Sequence, residues 1–191
     1  MDAIILNGSL KHQHHLIPIQ KILVEELGSA GWSAEPILLN EVKIRSCLGC
    51  FKCWDTTPGI CIQKDEAQDI VQKIIQSDLV IFLTPLTFGG YSSELKKIIE
   101  RMLGLLLPGV TIIKGETHHL RRYERYPSLL AFGVTETQND DEEQIFNTLI
   151  ERHSLNFYPP KHRAEVFLTG EEEEKIRERT KKIIVEMELK K

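Results

Sequence analysis

A chain of 191 residues is long enough to bury a full core without disulfides, and a formal net charge of −4 excludes a general nucleic-acid binder, which carries a basic excess. No apolar run approaches the roughly 20 residues that a membrane span needs, so no membrane partner is expected. Residues 1–8 show no basic n-region, apolar h-region or small-residue cleavage site, and a reducing cytoplasmic location is the expectation.

In chain order, Ala3, Ile4, Ile5 and Leu6 form a continuous apolar run ending in Asn7, Gly8 and Ser9, the pattern of a strand buried on both faces. Leu16, Ile19, Leu23, Leu27 and Ala30 then recur at helical spacing, with Pro18 admissible only in the first turn and a stop near Gly31. Pro36, Ile37, Leu38 and Leu39 read as a second strand. Asp65 with Gln68 resembles a capping box before a helix whose apolar face is Ala67, Ile70, Val71, Ile74 and Ile75. Residues 79–83 are the clearest buried strand; a Pro/Gly loop follows, then helical spacing at Leu95, Ile98, Ile99, Met102 and Leu103. Residues 107–126 lack a clean period and carry several basic side chains. They read as an excursion with a short strand at 110–113 and a solvated basic run to which no site is assigned. Strand 129–134, a helix opened by Asn139 and Glu142 with Ile145, Phe146, Leu149 and Ile150 inward, strand 164–168 and a charged helix from Glu171 complete the pattern. The expected architecture is an α/β fold: one domain over residues 1–191, a doubly wound five-stranded parallel sheet with helices on both faces. A cysteine-rich loop at 45–62 and an excursion at 107–126 are inserted in it.

All four cysteines, Cys47, Cys50, Cys53 and Cys61, lie in one C-x2-C-x2-C-x7-C stretch. The short gaps curl three sulfurs to one side, and the Thr56-Thr57-Pro58-Gly59 turn can swing the fourth back towards them. The spacing suits an iron-sulfur cluster, with reduced thiols, zinc and a redox disulfide as the other readings. In a doubly wound sheet ligands bind beyond the carboxyl ends of the strands, where the loops after Gly8, Leu83 and Val134 converge. Ser9 and Lys11 before the first helix can cradle a phosphate or be an ordinary capped turn; His12, His14 and His15 can be ligands or incidental loop residues. Leu86 and Phe88, with Gly89 and Gly90, offer an apolar wall and close backbone approach for a flat ring. Together with the cysteines, these features point to a mononucleotide with redox chemistry.

At these residues the sequence resembles the iron-sulfur flavoproteins and the wider NAD(P)H-dependent FMN reductases, whose fold is flavodoxin-like. The cysteine stretch has their compact form, and residues 84–101 resemble the segment S-P-V-Y-F-G-x-x-S-x-x-L-K-x-x-I-D-R. The resemblance implies FMN, with Pro85, Leu86, Thr87, Phe88 and Gly89 lining its ring, and Ser9, Lys11, His14, His15 and Leu16 as the counterpart of the phosphate loop. It further implies a 4Fe-4S cluster on the four cysteines, NAD(P)H or a redox protein as electron partner, and a homodimer or homotetramer. Two positions depart from the family pattern. His14, His15 and Leu16 replace the glycine, asparagine and threonine of the phosphate loop, and Thr87 replaces an aromatic. They motivate the competing expectation, a flavodoxin-like module that has lost FMN and whose cysteines hold zinc or sense thiol oxidation.

Overall fold

The computed structural model describes residues 1–11 and 14–187. Its main sheet comprises β1 (Asp2–Asn7), β2 (Ser33–Leu38), β3 (Leu79–Pro85), β6 (Ser128–Thr135) and β7 (His162–Leu168), all parallel in the order β2-β1-β3-β6-β7. This is the flavodoxin-like strand order, whose direction of winding reverses at β1/β3.

Strict two-residue alternation explains why the central strands read as unbroken apolar runs. Ile4 and Leu6, Val80 and Phe82, and Leu129 and Ala131 face one layer, made by α3 (Ala67–Gln76), α4 (Ser93–Arg101) and α5 (Asp140–Phe157). Ala3 and Ile5, Ile81 and Leu83, and Leu130 and Phe132 face the other, made by α1 (Ile17–Ser29) and α6 (Glu173–Met187). Pro18 sits in the first turn of α1 and the Asn139 side chain accepts from Glu142 N at 3.2 Å, as the sequence signals require. Ile145 departs from expectation. It is 52% exposed, because its side of α5 faces the loop after β3 instead of the sheet.

Residues 107–126 are more ordered than their composition indicates. They contribute a hairpin of β4 (Leu106–Ile113) and β5 (Glu116–Arg121), joined by a two-residue turn in which Lys114 and Gly115 both have positive φ. That is the turn geometry whose twist matches paired strands. The basic run is partly structural: Arg122 donates through Nε to Gly104 O at 2.8 Å and through a terminal nitrogen to Leu106 O at 3.2 Å. Among the described residues no helix is long and apolar enough to cross a membrane.

Candidate functional site

Two loops meet at the carboxyl edge of β1 and β3. Gly8 N donates to Leu83 O at 2.7 Å, and Ser92 Oγ, which caps α4 by accepting from Leu95 N, donates to Gly8 O at 2.6 Å. A third loop joins them where Leu86 N donates to Val134 O at 2.8 Å. The three loops expected to converge therefore do so through backbone hydrogen bonds.

Within the first loop, the Ser9 hydroxyl and amide both donate to Asn7 Oδ1, at 2.7 and 2.9 Å, so this buried side chain is committed to the protein. Leu16 is fully buried with Ile19 and Leu23 against the sheet; its expected place at a ligand is corrected to core packing, since an apolar side chain one turn from β1 gains more by leaving water. Lys11 and His14 are exposed, His15 is half-buried, and His12 lies outside the described residues. The start of α1 has no side-chain cap.

The second loop is a miniature hairpin. Thr87 and Gly90 exchange backbone hydrogen bonds at 3.1 and 2.9 Å across an apex of Phe88 and Gly89, both at positive φ. Phe88 is 91% exposed, a large aromatic ring held outward on a strained turn. Pro85 is a buried strand residue, Gly89 is pressed against Ile145, and Leu86 packs on Gly133 and Phe146. The expected wall of Leu86 and Phe88 is thus corrected to Phe88 with Thr87. With the Leu86, Thr87 and Gly90 amides bonded inside the protein, Phe88 and Gly89 at the apex carry the amides left for a ligand.

The cysteine loop contains a short helix, α2 (Lys52–Asp55), followed by a tight turn in which Gly59 N donates to Cys53 O at 2.9 Å and Ile60 N to Thr57 O at 2.8 Å. This turn returns Cys61 towards Cys53. The Cys53 thiol is pushed up first by burial, then by the negative charges that Cys61, Cys47 and Cys50 carry as thiolates. Gly49 N donates to Cys47 Sγ at 3.4 Å, and all four cysteines are free. Among the described residues no three Cys, His, Asp or Glu side chains are drawn close enough together to hold one metal ion.

The cysteine loop runs along α4 towards the end opposite Ser92. Trp54 Nε1 donates to Leu103 O at 3.2 Å, and a Cβ on Gly104 would lie 2.8 Å from Gly59 O. Gly104→Ala is expected to cost about 1–3 kcal/mol and to move Trp54 fluorescence to the red, because backbone meets backbone there and the loop must lift; thermal melts and emission spectra check it.

Asp65 anchors the same region. Its carboxylate bonds the first amide of α3, as the cap signal requires, but without a reciprocal bond from Gln68, and it makes a two-pronged pair with Arg101 at 2.9 Å on each prong, with side chains 1% (Arg101) and 0% (Asp65) exposed. Arg45 N and Ala67 N also donate to it, while Gln68 Nε2 reaches Cys61 O. Between the cysteine loop, α4 and α5 lies a cavity of about 400 Å3 lined by Cys47, Gly49, Lys96, His119 and His153. His153 Nδ1 and the Tyr91 hydroxyl are 2.5 Å apart, their rings stacked at 5.4 Å. Burial, then Lys96, push His153 down to about 4, so the neutral ring accepts from the phenol.

An iron-sulfur flavoprotein of Archaeoglobus fulgidus is 31% identical over 101 residues, 53% of this chain and 48% of that protein. One of Methanocaldococcus jannaschii is 27% identical over 101 residues, 53% of this chain and 51% of that protein; the chain thus spans about half the length of the curated relatives it matches. Among solved structures, the NAD(P)H:quinone oxidoreductase from Methanothermobacter marburgensis superposes with a TM-score of 0.74 at 14% identity, covering 100% of this chain and 98% of that one. An FMN-dependent NADH-azoreductase from Bacillus anthracis in complex with FMN gives 0.59 at 13% identity over 97% of this chain and 96% of that one. These two likenesses bear on the fold alone. The sequence pattern of NADPH-dependent FMN reductases matches residues 1–111, more than half of the chain, and with strand order and loops in agreement the chain belongs to that family.

Proposed function

We propose that the chain is an FMN-dependent oxidoreductase that takes electrons from a reduced nicotinamide, with a cysteine-ligated iron-sulfur cluster as electron relay. The observation that carries it is the junction of the first and second loops at the β1/β3 reversal, with Phe88 held outward beside it. When bound, FMN accepts a hydride and releases electrons; no protein acid, base or nucleophile is required for that. Phe88 and Thr87 would support the ring, and the apical amides would bond its polar edge. The uncapped start of α1 with Lys11 would hold the phosphate through N–H groups and charge, since Ser9 is engaged by Asn7.

The cysteine loop fits a cluster better than a single ion. Each thiol of a cluster binds a different iron, so the sulfurs need not converge on one point, and the C-x2-C-x2-C-x7-C spacing carries all four on one loop. A backbone N–H already reaches one sulfur, the kind of bond that tunes a cluster's potential.

The engaged Ser9 and the buried Leu16 favour a second reading, a flavodoxin-like module without FMN. One preparation decides. Protein purified anaerobically is expected to carry flavin absorption and about four irons with sulfide per chain. Phe88→Ala should weaken FMN binding roughly tenfold or more, a loss of about 1.4 kcal/mol. A colourless protein that binds no added FMN establishes the second reading.

A further inference from the structure

The cavity between the cysteine loop, α4 and α5 is separate from the site at the β1/β3 edge, because its lining residues belong to none of the three loops that meet there. Helical spacing builds two of its walls. Lys96, Ile99, Glu100 and Leu103 recur at three and four residues along α4 and the short 3-10 helix Met102–Leu105 that extends it. His153, Asn156 and Phe157 do the same on α5, so each helix turns one mixed face towards the same space. At about 400 Å3 that space has the size of a small-molecule pocket. Its apolar lining is substantial: Ile99 and Leu106 are buried, with Leu103 and Phe157 half-buried beside them.

The fold fixes one donor in this lining. His153 packs on Tyr91, stacked at 5.4 Å, and on Phe157, whose ring centroid is also 5.4 Å away. Its Nδ1 accepts from the Tyr91 hydroxyl at 2.5 Å, and burial pushes the pKa of that phenol up, which keeps it a donor. The neutral ring then carries its proton on Nε2. Among the described residues Nε2 is neither bonded nor buried, so its N–H is left for what enters the cavity. Lys96 is the second donor. Its ammonium is near enough to help push the His153 pKa down, and among the described residues its counter-ion is Glu100, at 3.3 Å in an exposed pair of the kind that holds weakly.

We propose that this cavity binds a small organic monocarboxylate with an apolar body, whose carboxylate accepts from His153 Nε2–H and Lys96 Nζ while the body lies against Leu103 and Phe157. A neutral carbonyl compound would use the N–H and leave the ammonium unmatched. An inorganic anion would use both donors and leave the apolar lining in water. An acid with an apolar body uses all of them, and charge-assisted bonds from two converging donors set its orientation. The site requires neither flavin nor metal.

Calorimetric titration of the purified chain with benzoate, benzamide and acetate tests it. Benzoate is expected to bind as a single molecule per chain with a dissociation constant of about 1 mM or lower, and benzamide and acetate at least about tenfold more weakly. Lys96→Met should weaken benzoate about tenfold and leave benzamide unchanged, whereas Glu100→Gln, which removes the competing carboxylate, should tighten benzoate about threefold. Both side chains are exposed, so neither variant endangers the fold. In wild-type protein labelled with 15N-histidine, benzoate should also move the His153 Nε2 resonance. Absence of saturable benzoate binding, benzamide or acetate binding as tightly as benzoate, or an unchanged benzoate affinity in Lys96→Met overturns the proposal.

Discussion

Asp65→Ala is expected to destabilise the protein by ~3–5 kcal/mol, because it strands a buried cation. Arg101 is held by two carboxylate oxygens and two carbonyls in a site that water does not reach. Removing the carboxylate leaves the charge in place and takes away its only counter-ion in that set. It also frees Arg45 N and Ala67 N, which ties the damage to both ends of the cysteine loop. Urea midpoints of the two proteins measure the difference. Its pH dependence has a definite sign. Burial by itself would raise the Asp65 pKa, but the bonds from Arg101, Arg45 and Ala67 outweigh it and hold the carboxyl below its ordinary 3.8. A depressed carboxyl contributes stability above its unfolded value and loses it as pH falls through the folded one. The gap between wild type and Asp65→Ala should therefore stay constant at neutral pH and narrow only below 3.8.

The second large effect is an acid-dependent loss of stability from His153. Its ordinary value of 6.5 falls to about 4 in the fold, with burial the main cause and Lys96 the second. A depressed histidine contributes fully above its unfolded value; protonating it as pH drops from 6.5 towards 4 favours the unfolded chain. The difference corresponds to ~3 kcal/mol over that window. His153→Phe retains a ring to stack on Tyr91 but offers the phenol no acceptor. At neutral pH it should cost about 1–3 kcal/mol for the unpaired hydroxyl, and the acid slope should flatten. Denaturant midpoints at intervals between about pH 7 and pH 4.5 check both parts. A wild-type curve flat across that range would show that the buried pair does not control acid stability.

Signals confined to a few consecutive residues were legible and correct. Asn139 caps the helix it precedes because the partner amide is three residues away, whatever the rest of the chain does. Asp65 and Gln68 carry the same local signal, and here tertiary contacts reshaped it: the carboxylate still accepts from Ala67 N, but it also pairs with Arg101, 36 residues on, and the Gln68 side chain turns to Cys61 O. Of the hairpin at residues 106–121 the strand at 110–113 was legible, but not its pairing with β5, because the two strands expose Val110, Ile112 and Leu120 instead of burying one apolar face. The Lys114-Gly115 pair was the available clue, since a two-residue turn there joins strands in register.

For the site, the sequence named the loops that the fold brings together but not which of their side chains face outward. Leu16 and Leu86 were placed at a ligand on sequence grounds, yet both turn into the core, while Phe88 is held in solvent by a turn closed between Thr87 and Gly90. By itself the sequence determined a parallel sheet, through alternating strands and helices, and the clustering of four thiols, because these follow from periodicity and spacing along the chain. Only the tertiary structure decided that the cysteine loop lies along α4 and that Arg101 is buried against Asp65 behind it. Those outcomes depend on which distant groups compete for each buried donor and acceptor, and that competition is settled only when the chain has closed on itself.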